Sequence, residues 1–322
     1  MDSTENISVK NRIIGAVKSA IPTALKTAWW MIRLTVIISL SVTILQYLGV
    51  ITWLSELLNP LFNLAGLPGE SAIVFISGYF VNIYSAVAAA STLNISLRSI
   101  TILAIMCLCA HNMIIETAVQ KKTGSSAVRM VIVRTLGAIV SAFVLNWLLP
   151  AEEITNVAKN NISILPLGMV LTDWLTGTAL LVLKMFTLIM GLNILQRLLA
   201  EFGVIRWLSK LMRPVLIIFG LPAKTSFLWI VVNILGLAYG AAVMIEEREK
   251  GKISREDADL LNHHAAMSHS NLEDVALFFS IGASLGWMLI FRWILAIIVV
   301  WLRRFELKYI SRKPKPEMVA QA

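Results

Sequence analysis

The stretch "GLPGESAIVFISGYFVNIYSAVAAASTL" (residues 66–93) is apolar enough to enter a lipid bilayer, yet its middle is interrupted by a glycine and polar residues. These are Gly78, Asn82, Tyr84 and Ser85. A second stretch, "GLPAKTSFLWIVVNILGLAYGAAVMI" (residues 220–245), begins with the same three letters and is interrupted at the same place. Backbone N–H and C=O groups must find partners inside a bilayer. A repeated interruption therefore indicates a feature that the fold uses.

The composition is that of a membrane protein. The chain has 322 residues, of which 57% are hydrophobic and 15% charged, and its mean hydropathy is +0.77. Soluble domains carry about 25% charged residues. The net charge of +9 could suit nucleic acid, but the basic residues stand in short clusters between apolar runs, as in cytoplasmic loops. We expect the lipid bilayer as partner and no nucleic acid.

The chain contains two copies of one unit. "GVITWLSELLNP" (residues 49–60) matches "GVIRWLSKLMRP" (residues 203–214) at eight of twelve positions, with an offset of 154 residues. Further on, "HNMIIETA" lies opposite "HSNLEDVA", and Arg134 lies opposite Arg292, both at an offset of 158. Apolar segments often look alike, but an ordered series that keeps Trp, Pro, His and Arg indicates a duplication.

The positive charges decide between two topologies. If residues 70–93 crossed the bilayer as an ordinary span, the basic loop "KKTGSSAVR" (residues 121–129) would lie outside the cell. If residues 70–93 turn back as a re-entrant hairpin, this loop lies in the cytoplasm with the basic N-terminus, and Glu152 and Glu153 lie outside. Each unit then crosses three times, so the second copy is inverted relative to the first.

The predicted fold is an all-α polytopic membrane protein with two inverted repeats. It has about six transmembrane helices, two re-entrant hairpins and amphipathic interfacial helices. We predict a place in the cytoplasmic (inner) cell membrane with both termini cytoplasmic. The predicted units are a cytoplasmic amphipathic N-terminus (1–27), the first repeat (28–149), an external loop (150–165), the second, inverted repeat (166–304) and a basic cytoplasmic tail (305–322).

The segments "GLPGESA…YFVNIYSA" and "GLPAKTS…VNILGLAYGAA", together with "HN" and a downstream carboxylate in the helix after the first hairpin, resemble the Gate, or nucleoside-recognition, family. This family takes in the spore maturation proteins A and B and the membrane core of ferrous iron transport protein B, and it is thought akin to the concentrative nucleoside transporters. The resemblance runs from about residue 28 to 304, as two Gate units in one chain. It implies a transport or permease-like protein of the cytoplasmic membrane.

The chain departs from the iron-transport members of the family in two ways. Those members tend to carry a cysteine in the hairpin break, and residues 78–86 contain none. They also carry a GTPase domain, which this sequence lacks. Both differences weaken the interpretation as an iron transporter and leave it open.

The interrupted hairpins supply the first candidate substrate-binding residues. They are Asn82, Tyr84 and Ser85 in the first hairpin and Asn233 and Tyr239 in the second. Amide and hydroxyl groups at a chain break can hydrogen-bond a solute that has left water. The alternative is that they only satisfy the backbone of the hairpin itself.

The helix after each hairpin supplies the second set of candidates. They are His111, Asn112 and Glu116 in the first copy and His269, Asn271 and Asp274 in the second. A carboxylate in a membrane helix is costly, so it usually faces the protein interior or a transport pathway, and histidine can carry a coupled proton. The alternatives are capping of an interrupted helix and, for Glu116, a position near the cytoplasmic end.

The basic residues that recur in both copies are predicted to lie at or near the membrane surface. Arg134 follows the basic loop closely and is predicted to lie at the membrane interface. Arg33 and Lys184 are predicted to snorkel towards the headgroups. The alternative for this pair is an ion pair with Glu116, with Asp274 or with an anionic substrate.

No metal site is assigned from the sequence. Cys107 and His111 share one helix face, but Cys109 points about 200° away from Cys107, so three ligands do not converge on an unbroken helix. His263 and His264 follow a charged loop and are predicted to lie on the surface.

No enzyme signature or cofactor motif is present, since a Gly-rich phosphate loop, His-Glu-x-x-His and Gly-x-Ser-x-Gly are all missing. We therefore expect no enzyme and no cofactor, but a secondary transporter or permease for a small polar solute, nucleoside-like as the leading candidate, driven by a proton or sodium gradient. Two alternatives stay open: a transporter of divalent metal such as ferrous iron, and a non-transporting membrane assembly or scaffold protein of the spore-maturation type. Analogy with transporters of this shape suggests a homodimer.

Overall fold

The computed structural model describes residues 8–150 and 165–312, with side chains up to residue 309. Within these ranges the chain forms helices and no β-strand. The helices of the first half are α1 (Val9–Tyr47), α2 (Val50–Leu64), α3 (Ser71–Phe80), α4 (Ile83–Thr92), α5 (Leu97–Ala110), α6 (Met113–Thr123) and α7 (Ala127–Leu148). Those of the second half are α8 (Leu167–Glu201), α9 (Val204–Ile218), α10 (Ser226–Ile234), α11 (Leu237–Glu249), α12 (Arg255–Met267), α13 (Glu273–Ser280) and α14 (Leu285–Arg312).

Three predicted segments fall partly or largely outside these ranges. The predicted external loop 150–165 lies outside the described residues except for its first and last residue. Residues 1–7 of the predicted N-terminus and 313–322 of the predicted tail also lie outside.

Four single helices, α1, α7, α8 and α14, are long and apolar enough to cross a membrane. Helices α5 and α6 together make a fifth candidate, bent by 41° at their break. The prediction of an all-α polytopic membrane protein is confirmed. The sixth predicted span corresponds to α12 and α13, which are 13 and 8 residues long and, among the described helices, do not meet the same criterion of length and hydropathy.

Helices α1 and α8 form an antiparallel pair. Arg12 at the start of α1 donates to Glu201 at the end of α8 at 3.0 Å, and Trp174 near the start of α8 donates to Ser39 in the last third of α1 at 3.2 Å. Helix α1 runs for 39 residues without a break, so the predicted N-terminal lead-in and the first span are one helix. Its buried alanines stand at four-residue spacing, which allows close packing between helices: Ala16, Ala20, Ala24 and Ala28.

The amphipathic helices α2 and α9 stand at equivalent places in the two halves. Each follows a glycine in the left-handed conformation, Gly49 with φ 74° and Gly203 with φ 68°. Each exposes a tryptophan, Trp53 and Trp207, on its outer surface. The interfacial position of the two helices stays a prediction.

In each half, two short helices turn back on each other at a point of close backbone approach. Gly78 of α3 faces Ala86 of α4, and a Cβ atom at Gly78 would lie 3.1 Å from that of Ala86. In the second half Gly240 of α11 faces Val232 of α10, and a Cβ atom at Gly240 would lie 2.3 Å from a methyl carbon of Val232. The two pairs occupy equivalent positions in the two halves. The glycine belongs to the first helix of the first pair and to the second helix of the second pair.

The two ends of each helical pair lie next to each other. Before α3, the carbonyl of Gly66 accepts a hydrogen bond from Arg98, which follows α4, at 3.4 Å. Before α10, the ammonium group of Lys224 lies 2.5 Å from the carboxylate of Asp257, which follows α11. In each half, residues that precede and follow the hairpin are therefore close in space.

The centre of the protein is formed by the helices that follow the hairpins. Almost every residue of α5 and α12 is buried, with α7 packed on α5 and α14 packed on α12. Large apolar side chains are exposed on the outer faces of α1, α7, α8 and α14. This is the pattern of a bundle with a polar centre and a lipid-facing surface.

Gly240 tests the hairpin packing. We expect Gly240→Ala to lower the free energy of unfolding by about 1–3 kcal/mol, the usual range for an overpacked core, because the added carbon meets Val232. Adding Val232→Ala should restore part of the loss. The measurement is thermal unfolding of the purified protein in detergent.

The matched control is Gly191→Ala in α8, where no atom lies within 4 Å of an added Cβ. Equal melting temperatures for Gly240→Ala and Gly191→Ala would contradict the hairpin packing.

Candidate functional site

Two helix breaks define the candidate site. Helix α5 ends before His111, and α6 starts after Asn112; helix α12 ends two residues before His269, and α13 starts three residues after Ser270. Asn112 and Ser270 hold positive φ angles of 46° and 48°, and they are the non-glycine residues with positive φ in the described part of the chain. Left-handed backbone is uncommon for such residues, so the surroundings must hold both breaks in place.

Each break is fastened to the hairpin of its own half. The N–H of Asn112 donates to the carbonyl of Gly78 at 2.9 Å, and the N–H of Ser270 donates to the carbonyl of Val232 at 3.1 Å. Donors released by the breaks are thus satisfied by backbone acceptors in the hairpins, as a buried backbone requires.

A fully buried arginine binds the released carbonyls at each break. Arg134 of α7 donates to the carbonyl of Cys109 at 2.9 Å and to that of His111 at 2.6 Å. Arg292 of α14 makes the same two contacts one repeat later, to Met267 at 2.8 Å and His269 at 2.9 Å. The fork of N–H groups on a guanidinium suits this task, because it reaches several acceptors in one plane.

The two histidines meet between the halves. Nδ1 of His111 lies 2.9 Å from the carbonyl of Cys107, and Nδ1 of His269 lies 2.6 Å from that of Ala265. A carbonyl only accepts, so Nδ1 carries the hydrogen and Nε2 points into the site. The ring centroids are 5.0 Å apart.

Glu116 connects both histidines and one arginine. Its Oε1 lies 3.0 Å from Nε2 of His111 and 3.4 Å from Nε2 of His269, while its Oε2 accepts from Arg134 at 2.6 Å. Asp274 lies on the other side, 3.4 Å from Nε2 of His111. Two arginines and two carboxylates thus stand in one buried cluster, where charges persist only when they are paired.

The second half fills the equivalent positions differently. Arg292 donates through Nη1 to Oδ1 of Asn271 at 2.9 Å, where Arg134 binds a carboxylate. The amide of Asn271 also donates to Oδ1 of Asn233 at 2.6 Å, which ties the second hairpin to the second break. The helix breaks and the arginine contacts to their carbonyls occur in both halves, but the polar groups that partner the two arginines differ.

The hairpin residues predicted as substrate contacts have internal partners. The side chain of Asn82 caps α4 by accepting from the N–H of Ser85 at 3.0 Å and from its hydroxyl at 3.2 Å. Asn233 donates to the carbonyl of Trp229 at 2.8 Å. Tyr84 is buried and donates to Glu273 of the other half. Tyr239 is 58% exposed, so it does not join the cluster.

The structure brings most of the predicted site residues to one centre. Glu116 contacts His111 and His269, and Asp274 contacts His111, while Asn112, Asn271, Asn233 and Tyr84 lie around them. Tyr239 is placed elsewhere, and Asn82 with Ser85 serves the start of α4. Whether any of these residues contacts a substrate stays a prediction.

The prediction of an interfacial Arg134 is wrong. The residue is completely buried and binds the α5–α6 break, because the face of α7 that carries it turns towards the bundle centre. Proximity to a basic loop does not reveal which way a helix face points. Arg33 and Lys184 are exposed on the outer surface and, among the described residues, form no ion pair with Glu116 or Asp274.

The prediction of surface positions for His263 and His264 is also wrong. Both side chains are buried, since α12 lies under α7 and α14 although it follows a charged loop. His264 stacks on Phe219 with ring centroids 5.3 Å apart and accepts from the indole of Trp229 at 3.2 Å.

Sequence reasoning missed Glu273 and the roles of the two arginines. The recurrence of arginine at an offset of 158 was a usable signal for Arg134 and Arg292, since buried helix breaks need donors for their carbonyls. Glu273 carried no comparable signal, because its partner Tyr84 is 189 residues away in the chain.

Three donor groups in the cluster could hold a metal ion. One ligand atom each from His111, Glu116 and His269 lies within 4.8 Å of the other two. Imidazole and carboxylate are suitable ligands for several divalent ions. Cys107 and Cys109 do not contribute: their sulfur atoms lie towards the carbonyls of Val74 and Met267, at 4.0 and 3.9 Å.

Comparison with known proteins identifies the family. The Gate family, described as nucleoside recognition, matches residues 28–127. A protein of Bacillus subtilis (strain 168), named "Uncharacterized membrane protein YvoD", is 31% identical over 301 residues, which cover 92% of this chain and 95% of that protein. This chain belongs to the Gate family. No solved structure matches this Gate protein.

The family match covers α2 to α6 completely and stops at the first residue of α7. It therefore includes the first hairpin, the first break and Glu116 of this Gate protein, but not Arg134, which closes the break from the next helix. The relative YvoD is similar over both halves.

Arg134 tests how the break is held. We expect Arg134→Met to lower the free energy of unfolding by about 3–5 kcal/mol, the range for breaking a buried ion pair, because Glu116 and two carbonyls lose their partner. The double variant Arg134→Met/Glu116→Gln should recover part of this loss. Chemical or thermal unfolding in detergent measures it.

Arg129→Met is the matched control. Arg129 pairs with Glu306 at 2.6 Å, but both side chains are about one-third exposed, and such pairs contribute about 0–1 kcal/mol. A similar loss in Arg129→Met and Arg134→Met would show that the buried contacts do not hold the break.

Proposed function

We propose that this Gate protein is a secondary transporter that moves a small polar solute across the membrane at the place where its two helix breaks meet. The observation that carries the proposal is the buried cluster of His111, His269, Glu116 and Asp274 between the halves. Ionisable groups inside a membrane protein typically mark a substrate or ion pathway, and paired interruptions are typical of transporter sites.

The arrangement of the helices supports an inverted repeat. Helices α1 and α8 lead the two halves at equivalent places, and their contacts show that they run antiparallel. Equivalent helices that run antiparallel are related by an axis perpendicular to them. In a membrane such an axis lies in the bilayer plane, and the two hairpins then enter from opposite leaflets.

A nucleoside-like solute is the leading candidate for this site. Nη1 of Arg134 is buried and makes no hydrogen bond within the described residues. A free guanidinium N–H suits the carbonyl of a nucleobase. The description of the family as nucleoside recognition agrees with this class.

The proposal also covers the driving force, the orientation in the membrane and the oligomeric state. A proton or sodium gradient drives the movement, the protein lies in the cytoplasmic membrane with both termini in the cytoplasm, and it works as a homodimer. The positive clusters that the topology assigns to the cytoplasm support the orientation.

A divalent metal ion is the second candidate solute. Its support is the trio His111, Glu116 and His269, whose ligand atoms lie within 4.8 Å of one another. The nearby positive charges of Arg134 and Arg292 repel a metal cation. The metal ion is therefore a weaker candidate for this site than a neutral solute.

Flux into proteoliposomes tests the function. We expect uptake of uridine or adenosine that depends on an imposed proton or sodium gradient and falls at least tenfold in Glu116→Gln, because the charge that holds both histidines is removed. Glu246→Gln, the same change at an exposed residue of α11, should transport normally. Uptake of Fe²⁺ or Mn²⁺ without nucleoside uptake would instead select the metal candidate.

The scaffold hypothesis gives a different result in the same experiment. A non-transporting protein would show no flux with any nucleoside or metal ion and no thermal stabilisation by any of them. That outcome contradicts transport.

Labelling of single cysteines tests the re-entrant hairpin. In a variant with Cys107 and Cys109 replaced by alanine, we expect Asn63→Cys and Asn94→Cys to react with an impermeant reagent from the same side of the membrane. Both asparagines are exposed and flank the first hairpin. Reaction from opposite sides would make residues 70–93 an ordinary span.

A further inference from the structure

A groove of about 220 Å³ lies between α1, α4 and α8, away from the helix breaks. Four of the polar side chains that line it make no hydrogen bond or ion pair within the described residues. They are Thr43, Gln46, Asp173 and Thr178. Unused donors and acceptors around one cavity indicate a place for a polar ligand.

Asp173 is the most informative of these residues. It lies in the second turn of α8, a helix with a span of mean hydropathy 2.0. Its side chain is exposed and belongs to the lining of the groove, so its carboxylate oxygens are open to a ligand that enters from outside.

Trp174 forms a fixed aromatic wall beside this carboxylate. Its indole N–H donates to Oγ of Ser39 at 3.2 Å, and Ser39 is fully buried and donates in turn to the carbonyl of Val36. The ring is therefore held in one orientation. An aromatic surface next to a carboxylate offers both an apolar contact and strong hydrogen-bond acceptors.

We propose that this groove binds the vicinal diol of a small polyhydroxylated solute, such as the ribose of a nucleoside. A carboxylate recognises ribose hydroxyls in dinucleotide-binding proteins, and here Gln46 and Thr178 provide further donors and acceptors. The volume lies below the range of about 300–1,000 Å³ for drug-sized ligands, which suits a pentose ring. This inference rests on the proposed function, because the solute bound in the groove is the one that is transported.

The position of the groove fits a vestibule. It reaches Ser91 and Thr92 at the end of the first hairpin, on the side where that hairpin opens. A solute held there stands at the mouth of the first half and has not yet reached the helix breaks.

Binding of uridine and 2′,3′-dideoxyuridine to the purified full-length protein tests the groove. We expect uridine to bind at least tenfold more tightly, because a site built for hydroxyls rejects an analogue that lacks them. Asp173→Asn should remove this preference. Thr176→Ala, an exposed change on the same helix outside the groove, should keep it. The measurements are repeated with Glu116→Gln, so that the central site does not supply the signal.

The diol can come from a free solute or from the glycerol headgroup of phosphatidylglycerol. Equal uridine binding in nanodiscs of phosphatidylglycerol and phosphatidylethanolamine supports the free solute, and competition by phosphatidylglycerol that needs Asp173 supports the headgroup. No preference for uridine over its dideoxy analogue, or the same preference in Asp173→Asn, overturns the proposal. Binding of choline, a cation without a vicinal diol, that needs Asp173 and shows no preference for a diol also overturns the proposal.

Flux separates this site from the transport function. Asp173→Asn should raise the half-saturation concentration of uridine uptake about tenfold and keep the maximal rate, whereas Glu116→Gln should stop uptake and keep the diol preference in binding. Uptake that is unchanged in Asp173→Asn overturns the groove and leaves transport standing. A wild-type protein without flux but with an Asp173-dependent diol preference overturns transport and leaves the groove standing.

Discussion

Two buried guanidinium groups make the interrupted helices of this protein possible. A helix that stops inside a membrane leaves carbonyls without partners, at several kcal/mol each. Arg134 binds two such carbonyls and Arg292 binds three, one of them that of Leu108 in the other half. The planar fork lets one side chain do this while it also contacts a neighbouring polar group. Lysine, with a single ammonium group, could not span the same acceptors. The breaks, the hairpins fastened to them and the polar centre all depend on these contacts.

Each buried guanidinium needs a partner, and the two halves supply different ones. Arg134 has the carboxylate of Glu116, while Arg292 has the amide of Asn271. Glu116 also lies within 3.4 Å of both histidines, so the centre contains one asymmetric site and not two equal ones. Duplication built a symmetric frame, and divergence at a few positions gave it a single chemical identity.

The sequence was sufficient for the membrane class, the internal repeat and the places of the interruptions, because each depends on residue types at a fixed spacing. It was not sufficient for Arg134, His263 and His264, whose burial depends on which helix face turns inward. A nearby charged loop indicates the depth of a residue in the membrane, but it does not indicate whether its side chain faces the lipid or the protein interior. Asn82 shows a third limit: an amide at a helix start is equally suited to capping and to binding, and only the contact with Ser85 shows that it caps.

The kinds of contact within and between the halves bear on how such a protein could move. Within each half, backbone hydrogen bonds join the hairpin to the break, at Gly78 and Asn112 and again at Val232 and Ser270. Between the halves, the central contacts are made largely by side chains, such as Tyr84 with Glu273. Side chains can exchange partners by rotating, whereas a backbone bond at a break holds the hairpin and its helix together. Backbone hydrogen bonds therefore couple each hairpin to the break of its own half.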